Sequence, residues 1–338
     1  MSSTSRPTFR IGMPTYRRPK DLAVFLRNIK PQLKTHPNVK IVVVNDGTHD
    51  DEYQRVVTDY QDHIDYRIQT ENKGCGPTRA AAFIDADEDY VVCTDDDCVP
   101  PPFWLDWLEA MVEVYPDIDV FAGEIEPVWD TPGNLLDQLL ALPESYPAPV
   151  VTDQGLLTAV GANTVVRRAF YQQVGGFPYD MRGAAEDCYL TQRILKAGGS
   201  YQIAQHWVIG HKAKNTVREL RGRFRGYGMG GAQYVLKEHD WVLADISTDA
   251  TLKDAWRAIS NKVRREWRSG INRSSLLSRL AFTIMTAVIA VEYERGWRQG
   301  LKKFAPKYPG GLPVKPPMVE RFVDFEDESA RTIALGGK

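Results

Sequence analysis

The densest group of potential ligand atoms in the chain is Asp95-Asp96-Asp97, directly after the apolar run Tyr90–Thr94. Three adjacent carboxylates at one strand end repel one another unless a cation neutralises them. Hard oxygen donors of this kind suit Mg2+ or Mn2+, so a metal and phosphate site competes here with a solvated acidic turn. Asn45-Asp46-Gly47 closes a second apolar run, Val39–Val44. Asp46 in that place can accept hydrogen bonds from a base or a ribose hydroxyl, or belong to a plain Asp-Gly turn. Glu71-Asn72-Lys73-Gly74, with Arg79 on the next helix, offers a glycine-bearing loop and two cations for a diphosphate or a base. A helix cap with a surface lysine reads the same way. Glu186-Asp187 opens a helix behind Gly183-Ala184-Ala185, where the helix dipole keeps carboxylates ionised. An ionised cleft carboxylate can take the proton of an attacking hydroxyl, although acidic first turns are also common. His211 ends the strand-like Trp207–Gly210, and an imidazole nitrogen beside carboxylates suits Mn2+.

The elements that must position these residues follow from periodicity. Thr8–Met13, Val39–Asn45 and Tyr90–Thr94 are buried strands by their β-branched content. Leu22, Phe25, Leu26, Ile29 and Leu33 mark one face of a helix starting near Asp21. Gly76-Pro77 opens another, with proline where its missing N–H costs nothing, and Leu105, Leu108, Met111 and Val112 mark a third. Strands alternating with helices imply a largely parallel sheet, whose ligands bind outside the carboxyl ends of the strands. The Pro-rich residues 126–150 break the alternation and read as a loop with one short helix. Beyond them come a strand-like LTAVGANTVV, a helix from near Arg168, a Gly175-Gly176 turn and a helix from about Glu186 to Ala197. From Asn215 to about Lys303 the pattern is helical and basic, and the Pro- and Gly-rich tail after Phe304 reads as extended.

Composition excludes several classes. A charged fraction of 25% with 10% aromatics in 338 residues rules out a disordered or fibrous chain. Cys75, Cys93, Cys98 and Cys188 form no CxxC pair, so neither a disulfide scaffold nor a structural zinc site is indicated. The N-terminus MSSTSRPTFR has no apolar core of a signal peptide. The longest apolar run, Leu280–Val291, contains Thr283 and Thr286 and is shorter than the roughly 20 residues a spanning helix needs. These features predict a soluble, cytoplasmic protein. Charge is unevenly placed: residues 1–211 hold 18 Lys+Arg and 30 Asp+Glu, whereas residues 212–307 hold 20 and 9. Arg218, Arg221, Arg223 and Arg225 crowd one segment, and Lys262, Arg264, Arg265, Arg268, Arg273 and Arg279 precede the apolar run. Such a region suits the inner face of an anionic membrane, nucleic acid, or a wet helical face packed on the rest of the protein.

In order along the chain, RIGMPTYRRPKDL, VVVNDGTHDD, ENKGCGPTRAAA, VVCTDDDCVPPPFW, GANTVVRRAFYQQVGGF, GAAEDCYLTQRILKAGG and WVIGH resemble the family-2 glycosyltransferases of GT-A fold. The resemblance covers residues 8 to about 211, and RFRGYGMGGAQYVLKEH is similar to the basic, glycine-bearing helix that often follows in bacterial members. It implies an α/β fold of GT-A type, a mostly parallel nucleotide-binding sheet flanked by helices, with a C-terminal helical extension. The division expected is a catalytic domain over 1–214, its nucleotide-sugar half about 1–100 and its acceptor half about 101–214. A basic helical extension over 215–304 and an extended tail over 305–338 follow.

The resemblance also implies roles. Pro14, Thr15 and Tyr16 shape a loop around the nucleotide, with Arg18 nearby. Asp46 reads the base, and Asn72, Lys73 and Arg79 sit near base and phosphates. Asp95 and Asp96 belong to the donor site, Asp95 touching ribose or metal. Asp97 is the direct metal ligand and His211 a second one. Asp187 is the catalytic base, and Glu186 helps to position acceptor or sugar. Where the family usually carries another acidic residue after its DxD, this chain has Cys98, which leaves open which two aspartates hold metal. The activity implied is inverting transfer of a sugar from a nucleotide-diphosphate sugar, UDP-linked on the strength of Asp46, to a hydroxyl of a glycan or lipid-linked saccharide, with Mn2+ or Mg2+. A nucleic-acid base or a protein is the alternative acceptor. A nucleotidyltransferase would want a Gly-rich, Lys-bearing loop that GMPTYRRPKDL lacks, and a silent binding module would not need an intact acid pair.

Overall fold

The computed structural model describes residues 6–128, 150–152, 155–213, 216–239 and 276–312. The short helix expected within 126–150, the cluster Lys262–Arg273 and the tail beyond residue 312 fall outside these residues.

Four parallel strands form the first half of an eight-stranded sheet: β1 (Phe9–Thr15), β2 (Val39–Asn45), β3 (Ile64–Ile68) and β4 (Tyr90–Thr94). Their spatial order is β3-β2-β1-β4. Between them run α1 (Pro19–Leu33), α2 (Asp51–Tyr60) and α3 (Cys75–Phe83). The sheet continues through β9 (Asn163–Arg167), β6 (Val120–Val128), β10 (Tyr201–Lys212) and the two-residue β5 (Cys98–Val99). This half is mixed: β9 runs antiparallel to both β4 and β6, β10 runs parallel to β6, and β5 is antiparallel to β10. Four of the seven pairings are parallel, as expected of a mostly parallel sheet, and the three antiparallel ones involve β5 and β9. Two short strands, β7 (Val150–Thr152) and β8 (Gly155–Thr158), pair separately.

Side chains alternate across the strands, as a period of two requires. Ile11, Met13, Ile41, Val43, Val92 and Phe121 face α1 and α4 (Trp104–Val114), which supply Leu22, Phe25, Leu26, Trp104, Leu105 and Leu108. Val42, Val44, Val91, Cys93, Ala122 and Val166 face the other way. There they meet Phe83 of α3, Tyr171 of α5 (Arg168–Gln173), and Leu190 and Ile194 of α6 (Glu186–Lys196). Burying each such aliphatic or aromatic side chain is worth about 1.5–3 kcal/mol, so both faces hold the sheet flat enough to present one carboxyl edge. Trp104 and Trp207 stack at 5.3 Å, and Asn163 ties β9 to the carbonyls of Glu124 and Trp207 at 2.9 and 2.8 Å. That junction fixes β10, which carries His211.

The last described elements are a helix pair, α7 (Val217–Glu238) and α8 (Leu276–Phe304), followed by a short 3-10 turn at Ala305–Lys307. Glycines let the two helices touch: a Cβ on Gly296 would stand 1.9 Å from the Arg225 carbonyl oxygen, and one on Gly228 2.0 Å from that of Tyr293. Arg221, Arg225 and Arg295 converge on the buried Glu292. Two of the four arginines crowded between 218 and 225 are therefore matched inside the protein. No helix among the described residues is long and apolar enough to cross a membrane.

Candidate active site

The turn after β4 separates its three aspartates. Asp96 is fully buried and turns inward, ion-paired with Arg18 at 2.6 Å; burial lifts its carboxyl above the ordinary value despite that arginine. Asp95 and Asp97 face the cavity instead. The antiparallel pairing of β5 with β10 sets His211 opposite Cys98, and this brings the imidazole to the same turn. Its Nε2 lies 3.4 Å from Asp97 and 3.9 Å from Asp95, and one ligand atom from each of the three residues fits within 4.8 Å of the others. His211 Nδ1 lies 3.2 Å from the Lys212 carbonyl. A carbonyl can only accept, so Nδ1 is the donor in that contact, which leaves Nε2 as the ring nitrogen available to a cation held between the two carboxylates. Three lone-pair donors converging on one point fit a divalent cation. Arg18 also contacts Asp97, and Arg79 contacts Asp95, which orients each carboxylate from behind.

Asp46 takes a different position from a free base-reading carboxylate. One oxygen accepts from the Lys73 N–H at 2.6 Å and Gln69 Nε2 at 3.4 Å; the other accepts from Asn72 Nδ2 and the Gly74 N–H, both at 2.9 Å. Its lone pairs are filled by the 72–74 loop, which Asp46 shapes. Gly74 permits the fold of that loop, because its φ is +89° and a Cβ there would lie 2.2 Å from the Arg182 carbonyl oxygen. Asn72 lines the cavity with Pro14, Thr15, Tyr16 and Arg18. The Lys73 side chain is exposed and is not among the lining residues. Tyr53 of α2 holds this end from below: its hydroxyl lies 2.7 Å from Thr15 Oγ1 and accepts from the Arg18 N–H at 2.9 Å.

Arg79 is buried in the cavity floor and serves as a brace. It donates to the carbonyls of Thr94 and Gly161 at 3.2 and 3.0 Å, and to Glu186 at 3.2 Å, besides Asp95. Glu186 also accepts from the Cys75 thiol at 3.0 Å. Asp187 accepts from the Gly161 N–H at 3.2 Å and the Cys188 N–H at 2.8 Å, and it lines the cavity. Burial raises the pKa of both acids, and the Asp187 carboxylate raises that of Glu186 further. Ala185, just before them, sits in the left-handed region at φ 71°, a strained setting for a non-glycine residue.

Asp46, Asn72, Arg79, Asp95, Asp97, Glu186, Asp187 and His211 line one cavity of about 850 Å3 at the carboxyl edge of the sheet. Its remaining wall was not foreseen: Glu219, Arg223, Tyr227 and Gly231 of α7, with Tyr293 of α8. Their spacing of four puts the α7 residues on one helical face, a signal present in the sequence without any indication of what that face meets. A boundary at residue 214 therefore runs through the site. Gly230 presses α7 on the acid-bearing loop, where a Cβ would come 2.2 Å from the Ala184 carbonyl oxygen.

The model of glycosyl transferase family 2 matches residues 10–175, and that of glycosyl transferase family 21 matches residues 136–225. Among solved structures, the chain is similar to mannosyltransferase PcManGT from Pyrobaculum calidifontis, solved with GDP-Man and Mn2+. That match has TM-score 0.56 and 18% identity and covers 88% of this chain and 89% of that one. It is also similar to S. aureus TarS 1-349, solved with UDP-GlcNAc, with TM-score 0.52 and 14% identity, covering 95% of this chain and 97% of that one. At such identities these likenesses speak for the fold. No curated protein matches by sequence. The mixed sheet, its carboxyl-edge cavity and the family match define a glycosyltransferase. Over residues 10–175 the chain is a family-2 glycosyltransferase, and its fold is of GT-A type.

Proposed function

We propose that this enzyme transfers a sugar from a nucleoside-diphosphate sugar to an acceptor hydroxyl with inversion at the anomeric carbon. The observation that carries the reading is that Asp95, Asp97 and His211 share one cavity with Asp187. Those three residues would hold Mn2+ or Mg2+, which as a Lewis acid offsets the charge growing on the departing diphosphate. The PcManGT and TarS structures, holding GDP-Man with Mn2+ and UDP-GlcNAc respectively, support a nucleotide-sugar donor. One carries a guanine nucleotide and the other a uracil nucleotide, so the preference for UDP rests on Asp46, which lines the cavity beside Asn72.

Asp187, rather than Glu186, is the base in this reading. Glu186 is held by Arg79 and Cys75, whereas Asp187 is oriented by two backbone N–H groups toward the cavity. Burial raises its proton affinity, which strengthens it as a base toward the attacking hydroxyl. Displacement from the face opposite the diphosphate inverts the centre, so an α-linked donor gives a β-linked product. The acceptor fitting this wide, open cavity is a hydroxyl of a glycan or lipid-linked saccharide.

The test is release of free nucleoside diphosphate from a panel of UDP- and GDP-sugars, with and without Mn2+, followed by NMR of the product's anomeric configuration. Metal-dependent release with inversion is expected. Absence of turnover with every donor, or a retained configuration, removes the proposal.

A further inference from the structure

The outward stripe of α8 reads Ile284, Val288, Val291, Arg295, Arg298 and Lys302. Steps of four and three keep all six on one side of the helix, along roughly 27 Å of axis at 1.5 Å per residue. The opposite side, with Met285, Glu292 and Trp297, is buried. The stripe is not: Ile284 and Val291 are 56% and 46% exposed, and the Arg295 and Arg298 side chains 55% and 70%. Its first half is aliphatic and its second half cationic, Arg298 also pairing with Glu294 at 2.6 Å. Beside it, the single carboxylate of Glu292 faces three guanidiniums, those of Arg221, Arg225 and Arg295, leaving an excess of positive charge at the rim.

We propose that this stripe docks on an anionic lipid surface, the aliphatic half entering the headgroup boundary and the cationic half pairing with the headgroups. Lipid is the occupant favoured by the combination. Nucleic acid would use the cations but gain nothing from exposed Ile284 and Val291, whereas an interfacial helix uses both. A two-fold contact between copies would set the aliphatic half of one helix against the arginines of the other, or arginine against arginine. The docking rests on no assumption about catalysis. If the transferase reading holds as well, the adjoining α7 wall places the cavity beside the membrane, where a lipid-linked acceptor lies.

The test is co-sedimentation of the full chain with phosphatidylcholine vesicles, with and without phosphatidylglycerol, at low and high salt. Binding is expected only with phosphatidylglycerol and is lost at high salt. R298E with K302E should lower it by roughly 30-fold or more, and I284N with V291N several-fold. Both variants should keep the wild-type melting temperature and the binding of UDP or GDP with Mn2+. Should one pair fail to fold, the other still decides the outcome. Absence of binding to the anionic vesicles overturns the proposal. So does binding unaffected by the substitutions, equal binding to a DNA duplex, or a dimer in sedimentation analysis that I284N with V291N dissolves. A chain that binds the vesicles but no nucleotide would sink the donor reading and leave this one standing.

Discussion

Asp187 and Glu186 are neighbours with different surroundings, and that difference assigns their roles. Asp187→Asn keeps the two backbone hydrogen bonds within reach but removes the proton acceptor. The expected loss of turnover is roughly 10²–10⁴-fold, with donor affinity nearly unchanged in calorimetry. Asp97→Ala should instead abolish Mn2+-dependent nucleotide binding, because it leaves Asp95 and His211 short of a ligand set; affinity that persists with Mn2+ present would refute the ligand role. A protonated base cannot accept a proton. Since burial raises the pKa of the acid pair, turnover at saturating donor should fall with decreasing pH at values above the ordinary carboxylate range. A pH–rate profile flat down to that range would contradict it. Residue types alone identified these acids, the aspartate triplet and His211. They could not tell a side chain that only faces ligand from one that also braces the floor: Arg79 and Asp46 both line the cavity, and each also makes several bonds to the protein around it.

At the level of elements, strands were legible where burial was complete. β2 and β4 match the expected limits, because their apolar residues face core on both sides of the sheet. α2 and β3 were missed: α2 buries Tyr53 alone, and β3 is only partly covered. β10 showed only its Trp207–Gly210 portion because the residues before it are half-exposed or exposed. The pairing that delivers His211 depends on the two-residue β5, too short to carry a pattern. Two predictions belong here. Gly230→Ala should push against Ala184 and displace the acid-bearing loop, lowering turnover more than donor affinity; an unchanged rate at full stability would show that α7 merely rests there. Glu292, beside Arg225 and Arg221, has its pKa lowered from 4.5 to about 2. Its folded value lies below its unfolded one, so its stabilising effect is present above pH 4.5 and is lost as pH falls toward 2. Glu292→Gln should lower the melting temperature at neutral pH and flatten its acid dependence over that window; a wild-type melting profile would count against the cluster.

Across the whole molecule, the cavity draws on both ends of the sequence. One end is lined by the loops after β1, β2, β3 and β4, while the far wall comes from α7 and α8. The family match over residues 10–175 spans the first of these and stops short of the second. Order of synthesis follows from that arrangement. A nascent chain that has just completed β10 already carries every strand of the eight-stranded sheet and the residues Asp95, Asp97, Glu186, Asp187 and His211, but the side facing α7 still stands open to water. If the proposed transfer holds, copies terminated there should bind a nucleoside diphosphate yet turn over no sugar donor, because the wall from α7 and α8 is missing.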